Sequence, residues 1–375
     1  MNTIKKAPVS FIPSMVVLKV ASHCNLYCTY CHWFRDPEVE NKPKLLQKQV
    51  EKIMFSRLED YIVKYGLSDF TICLHGGEPT LFGLDRIEAL CNQAEELSKR
   101  TGAIIDVSMT TNAALVDEAM AKNLKRLKIT VTVSHDGPKI FHDRYRVNRS
   151  GKGSFKKVRK GIDTLRAAGI NPTGLCVLNP ESNGTEIITF FIEEMKFKII
   201  DFLIPDLDHE DKEKGNWKSI ADVLISIFDK WFDVYSYQGV RIRLFESMIA
   251  SIFGKKTTLQ GVGFSPMCVL TINTDGSMEN HDALRISGEN SVKTNLNVMN
   301  DPIDSIFTNT IWRKPYDASL KPPLDCERCQ LKYICRGGDV IHRHFKGEYQ
   351  RKSVYCDDYK KIYPYIVERI SDTWI

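Results

Sequence analysis

Short runs of β-branched and aliphatic residues recur through the first two hundred positions, and between them apolar residues return at three- and four-residue spacing. A continuous apolar run reads as a buried strand, whereas the wider spacing reads as one face of a helix. The pattern predicts strands at 15–20, 69–75, 103–109, 128–134, 172–178 and 199–204. Helices are predicted near 44–65, 83–100, 115–126, 154–168 and 184–195, with a further one from Trp217 to Tyr237. Strand–helix alternation of this kind builds a parallel sheet with helices outside it. Six such units are too few for a closed eight-fold barrel. No internal repeat or low-complexity tract interrupts the pattern. The expected division is a domain over 1–240, a bridging segment over 241–260 and a Cys-rich domain over 261–375.

Composition narrows the class. Hydrophobic residues make up 43% and charged residues 26% of the 375 positions, ordinary values for a globular chain long enough to bury a sizeable core. The net charge of +5 is modest and no long basic run occurs, so no nucleic-acid partner is expected. No uninterrupted apolar stretch is long enough to span a membrane. Met1 to Pro13 lacks the apolar core of a signal peptide, so a cytoplasmic location is expected. In that setting the eleven cysteines point to metal rather than to disulfides. Cys73, Cys91 and Cys176 fall in apolar strand or helix patterns and are expected to be buried thiols.

The chemistry begins just after the first strand, at Cys24-Asn25-Leu26-Tyr27-Cys28-Thr29-Tyr30-Cys31. Three thiolates in one loop suit a [4Fe–4S] cube with one iron left open. They also suit zinc, with His23 or His32 as the fourth ligand. After the second strand comes His75-Gly76-Gly77-Glu78-Pro79-Thr80, whose glycines let backbone approach a ligand and whose proline fixes a turn. Thr110-Thr111-Asn112 ends the third strand, and Val133-Ser134-His135-Asp136-Gly137-Pro138, with His142 to Arg146, follows the fourth. Ligands of parallel α/β folds bind at such carboxyl ends.

This series resembles the radical S-adenosylmethionine (SAM) enzymes. The resemblance implies an open, partial (β/α)6 TIM barrel. It implies that Cys24, Cys28 and Cys31 hold a [4Fe–4S] cluster and that Tyr30 lies against the adenine. Gly76, Gly77, Glu78 and Pro79 match the motif that receives the methionine ammonium. Ser134 and Arg146 match the residues that contact the SAM ribose and carboxylate, in a block that includes Asp136. Asn112 matches the family's Thr-Asn-Gly, with Ala113 in place of the glycine.

Toward the C-terminus, Cys326-x-x-Cys329-x5-Cys335 is followed by Cys356. By spacing alone this is a zinc knuckle. Beside radical SAM motifs it resembles the SPASM domain, and the resemblance implies an auxiliary [4Fe–4S] cluster on these four cysteines. For a second auxiliary cluster only Cys268 remains, because His281 and Asp339 stand where thiolates are required; that cluster is expected to be absent.

The segment Phe202-Leu203-Ile204-Pro205-Asp206, with Asp208, His209 and Asp211 behind it, leaves the sixth strand at its carboxyl end. Together with Thr274 to Glu279, His342-Arg343-His344 and Ser353 to Asp357, it is similar to maturases that form three-residue cyclophanes in ribosomally made peptides. That resemblance implies a precursor-peptide substrate, abstraction of a β-hydrogen, attack on an aromatic ring, and an external one-electron reductant of the flavodoxin or ferredoxin type. Asp206, then Asp208 and Asp211, are candidates for the base that takes the proton. The competing reading is that these acids cap the following helix or face solvent. Two alternatives of function stand beside it: oxidation of Cys or Ser to formylglycine, as in the anaerobic sulfatase maturases, and a zinc-stabilised binding module.

Overall fold

The computed structural model describes residues 9–372; positions 1–8 and 373–375, the outer ends of the first and last expected domains and part of the Met1 to Pro13 stretch, lie outside the described residues. In chain order the strands are β1 (Met15–Ala21), β2 (Asp69–Gly76), β3 (Ile104–Thr111), β4 (Thr130–Ser134), β5 (Thr173–Val177), β6 (Ile199–Leu203), β7 (Arg241–Ile242), β8 (Leu270–Ile272), β9 (Ser277–Glu279) and β10 (Lys293–Asn297). The six strands expected from the apolar runs are all present. The last four were not expected: each is five residues or shorter, too brief to show a period of its own.

Two compact units share these elements. One comprises 1–134, 145–172 and 268–313; the other comprises 135–144, 173–267 and 314–375. In the first unit β1, β2, β3 and β4 run parallel in that order, and β8 adds to the free edge of β1, also parallel. Strands β9 and β10 extend this edge antiparallel. The alternation of side chains sorts two faces. Val16, Leu18 and Val20 of β1, with Phe70, Ile72 and Leu74 of β2, are buried apolar residues. The helices Lys48–Tyr65 and Leu84–Thr101 bury Met54, Leu58, Ile62, Ile87, Leu90 and Leu97. The opposite parity is polar: Lys19 pairs in register with His75, and Cys73 with Ser108.

Cys73 therefore departs from expectation. It is only partly buried, with its sulfur 4.0 Å from Thr110 Oγ1 on the polar face. Cys91 is also partly exposed, and only Cys176 is the buried thiol the pattern suggested.

In the second unit β5, β6 and β7 are parallel. The helix Gly184–Thr189 approaches Ala221–Lys230 closely because Gly184 has no Cβ, which would lie 2.3 Å from both Ser226 Oγ and Val223 O. The expected helix from Trp217 starts later, at Ala221, because Asp358 Oδ1 accepts from Ser219 Oγ, Ile220 N and Ala221 N at 2.6, 2.7 and 2.9 Å. Capping by a residue distant in sequence fixes the first turn there. No helix among the described residues is long and apolar enough to cross a membrane.

Candidate active site and cluster-binding residues

The Cys24–Cys31 loop is pinned by main-chain bonds. Tyr27 N donates to Val147 O at 2.6 Å, Thr29 N to Tyr145 O at 3.0 Å, and Cys31 N to Cys28 O at 3.1 Å. Cys24 Sγ accepts from Leu26 N at 3.3 Å and from Asn112 Nδ2 at 3.6 Å, and the same amide donates to Asn25 Oδ1 at 2.8 Å. Burial, and after it the Glu78 carboxylate, pushes the Cys24 thiol well above its ordinary range; burial does the same to Cys31. A cationic metal centre would reverse this bias, since only the thiolate is a ligand.

The two candidates for a fourth zinc ligand are engaged elsewhere. His23 Nδ1 lies 3.0 Å from Lys44 O, and His32 Nε2 lies 3.2 Å from Asp282 Oδ2. Among the described residues no three His, Cys, Asp or Glu side chains converge tightly enough for one metal ion. A tetrahedral zinc needs sulfurs within about 4 Å of each other, whereas a cube holds them farther apart. With His23 and His32 bonded elsewhere, the loop offers three thiols and no histidine as fourth ligand.

The glycines after β2 are required by contact. A Cβ on Gly76 would lie 2.0 Å from Ala21 O, and one on Gly77 would lie 2.1 Å from His23 O. Gly77 N and Glu78 N donate to those carbonyls at 2.8 and 3.0 Å, which ties this turn to the entry of the cysteine loop. Pro79 opens a buried 3-10 turn over Pro79–Phe82. Glu78 is buried, and its carboxylate accepts from Thr80 N, Thr80 Oγ1, Thr111 Oγ1 and Asn112 N at 2.6–3.0 Å. Burial raises its pKa against these donors. Glu78 thus fixes the end of β3, where Ala113 adopts φ +57°, the left-handed conformation that a glycine would take without strain.

Arg146 is buried and donates from Nη1 to Tyr30 Oη at 2.6 Å. The structure therefore brings together Cys24, Cys28, Cys31, Tyr30, Gly76, Gly77, Glu78, Pro79, Asn112 and Arg146 within one unit; Ser134 ends β4 of the same unit. Asp136 belongs to the other unit, where its Oδ1 accepts from Val177 N at 3.3 Å.

In the second unit Cys326, Cys329, Cys335 and Cys356 line one pocket with Lys352 and Tyr359. Burial, and then the mutual repulsion of Cys326, Cys356 and Cys329, pushes Cys335 up to about 12. The turn between them needs its glycines: a Cβ on Gly337 would lie 2.5 Å from Pro323 Cδ, and one on Gly338 would lie 2.7 Å from Tyr359 Cε2. Four thiols around one pocket fit an Fe–S cube. The residues expected at a second auxiliary site each have a main-chain contact. Cys268 donates to Phe11 O at 3.3 Å, and His281 Nδ1 accepts from Ala283 N at 3.1 Å. Asp339 Oδ1 accepts from Ile341 N at 3.0 Å, and its carboxyl abuts Gly261, whose Cβ would lie 2.5 Å from Oδ2.

Of the three candidate bases, Asp208 and Asp211 form a capping box on the helix His209–Glu213. Asp208 Oδ1 accepts from Glu210 N and Asp211 N, and Oδ2 pairs with His344 Nδ1 at 2.9 Å. Both oxygens of Asp208 are thus committed, as the capping alternative requires. Asp206 is different: its side chain is 38% exposed and lies 3.9 Å from His342 Nε2.

One polar group escaped the sequence reading. Lys19, fully buried on β1, bonds Asp282, and its Nζ is 3.1 Å from His75 Nδ1. Burial opposes ionisation of Asp282, but Lys19 and then His32 outweigh it and hold the carboxyl well below its usual range. Burial first and Lys19 second push His75 down to about 3. The ammonium can only donate, so Nδ1 of the neutral ring accepts and Nε2 carries the hydrogen. The available signal was a lysine inside the apolar run Met15 to Val20. A lysine so enclosed needs a buried anion.

The depressed His75 has a measurable consequence. The unfolded chain takes up a proton below about pH 6.5 that the folded chain refuses until about pH 3, so stability is full above this window and falls as pH falls through it. His75→Gln keeps an acceptor for Lys19 without the titration. Urea midpoints should fall more steeply in the parent below pH 6.5, by up to ~1.4 kcal/mol per pH unit. Parallel pH profiles would contradict a neutral His75.

Residues 18–191 match the model of the Radical SAM superfamily, and this stretch is a radical SAM domain on an α/β, parallel-sheet fold. Over 369 residues the chain is 27% identical to the cysteine-type anaerobic sulfatase-maturating enzyme of Clostridium perfringens, covering 95% of this chain and 97% of that protein. Its fold is similar to native anSMEcpe solved with bound AdoMet and the Cp18Cys peptide, with a TM-score of 0.81 at 23% identity over 96% of this chain and 98% of that one. It is also similar to Streptococcus suis SuiB bound to the precursor peptide SuiA, with a TM-score of 0.58 at 16% identity over 92% and 76% of the two chains.

Proposed function

We propose that the chain is a radical SAM maturase that oxidises a cysteine or serine of a protein or peptide to formylglycine. The observation that carries this reading is the near-complete reciprocal match to the cysteine-type sulfatase-maturating enzyme, 95% of one chain and 97% of the other. It replaces the cyclophane maturase as the preferred reading. When bound, SAM and the [4Fe–4S] clusters supply a carbon radical that removes a hydrogen atom and a centre that accepts one electron. Cys24, Cys28 and Cys31 hold the first cluster, with Leu26 N and Asn112 Nδ2 donating to Cys24 Sγ. Gly76, Gly77, Glu78, Pro79, Tyr30, Ser134 and Arg146 form the SAM-binding set. Cys326, Cys329, Cys335 and Cys356 hold the auxiliary cluster. An external one-electron reductant of the flavodoxin or ferredoxin type is the further partner this chemistry needs.

Oxidising a cysteine side chain removes one hydrogen atom from Cβ, one electron, and the thiol proton. Water then replaces sulfur, which leaves as hydrogen sulfide, and an aldehyde remains. Asp206, the more exposed of the two carboxylates Asp206 and Asp208 behind β6, takes the proton. Asp206→Asn should leave SAM cleavage in place and lower aldehyde formation by about 100-fold. Unimpaired aldehyde formation would remove Asp206 from this role.

The cyclophane crosslink remains the second reading, favoured by His281 and Asp339 standing where a second auxiliary cluster would need thiolates. The products differ. Incubation with Cys- and Ser-containing sulfatase peptides should give a product that reacts with a hydrazide. A crosslinked peptide is lighter by two hydrogens and carries no aldehyde, and its appearance with a precursor peptide, without hydrazide reactivity, would overturn the preferred reading.

A further inference from the structure

The stretch His342-Arg343-His344 has two members with clear structural partners. Arg343 Nε donates to Tyr349 O at 3.1 Å, and His344 Nδ1 pairs with Asp208 at 2.9 Å. His342 has none: its side chain is 6% exposed, and neither ring nitrogen has a hydrogen-bond partner among the described residues. Trp217 Nε1 is buried and likewise without a partner among them. Both rings pack on Tyr355, His342 edge-on at 4.9 Å between centroids and Trp217 tilted at 6.4 Å. Tyr355 is itself held by its hydroxyl on Pro205 O at 2.9 Å, next to Asp206, whose carboxyl is 3.9 Å from His342 Nε2. Lys212 Nζ covers the Trp217 ring at 4.3 Å.

Burying donors and acceptors without partners is destabilising, and native chains rarely keep several in one place unless something else satisfies them. The groups left open are a donor-only indole N–H and the two ring nitrogens of His342, whose donor and acceptor roles follow the tautomer. A main-chain amide offers the complement, one C=O acceptor and one N–H donor. We infer that Trp217 and His342 form a subsite that binds a main-chain amide of the substrate peptide. The inference rests on the maturase reading and names how this chain holds its peptide: the amide C=O accepts from Trp217 Nε1, and the amide N–H donates toward His342.

The test is anisotropy of a fluorescein-labelled, cysteine-containing sulfatase peptide with the reconstituted protein and SAM. Trp217→Phe keeps the ring and removes the N–H, and should weaken binding about five-fold; His342→Gln should weaken it to a similar degree. A series of peptides with single amide-to-ester replacements leaves the protein untouched. One ester, which lacks the amide N–H and keeps the carbonyl, should weaken binding to the parent and cause no further loss in His342→Gln. Parent-like binding by both variants would overturn the inference and leave the buried groups to ordered water. So would ester effects equal in parent and variant. If the parent itself does not bind the peptide, the maturase reading fails, and this inference with it.

Discussion

Alanine at Cys24, Cys28 and Cys31 together should abolish dithionite-driven formation of 5′-deoxyadenosine and leave a folded chain. The three cysteines are only partly buried, whereas β1 is anchored by Val16, Leu18 and Val20, each fully buried, and by pairing to β2 and β8. Cys24 and Cys31 thiols that burial holds protonated gain nothing from remaining thiols when no metal is bound. Iron should fall by about half, from about eight per chain to about four. Persisting 5′-deoxyadenosine would contradict the assignment of this loop.

Cys326→Ala should have the second large effect, on iron and on stability together. The chain from Leu320 to Tyr355 is mostly turns and short 3-10 pieces, so a metal centre joining Cys326, Cys329, Cys335 and Cys356 replaces regular structure as its tie. Iron should again fall by about four, and the chain should melt at lower temperature. Cys268→Ala should leave the iron unchanged, because His281 and Asp339 stand where a second cluster would need thiolates. About twelve irons, falling by a third in Cys268→Ala, would show that a second auxiliary cluster is bound.

The cysteine loop, the Gly-Gly-Glu-Pro turn and the first six strands were legible in the sequence, because each is contiguous and its chemistry sits in neighbouring residues. What the sequence hid is non-local. Asp282 meets Lys19 across 263 positions, and nothing near either residue announces the other. Strands β8 to β10 exist through pairing to β1 and to each other, not through a period of their own. The helix at Ala221 starts where Asp358 caps it, 137 positions away. The Asp208 cap was legible as an alternative, since an acid with another acid three positions on is a local signal. Trp217 was legible only as a helix start and His342 only as part of a motif; their unpartnered polar atoms became visible when both rings packed on Tyr355.

The central claim is that this chain takes a hydrogen atom from the β-carbon of a peptide cysteine or serine and leaves an aldehyde there. A sulfatase peptide deuterated at that carbon tests it most directly. The account predicts deuterium in 5′-deoxyadenosine and a hydrazide-reactive residue at the labelled position, formed in step with each other. Deuterium-free 5′-deoxyadenosine, or deuterium transfer with no aldehyde, would contradict it.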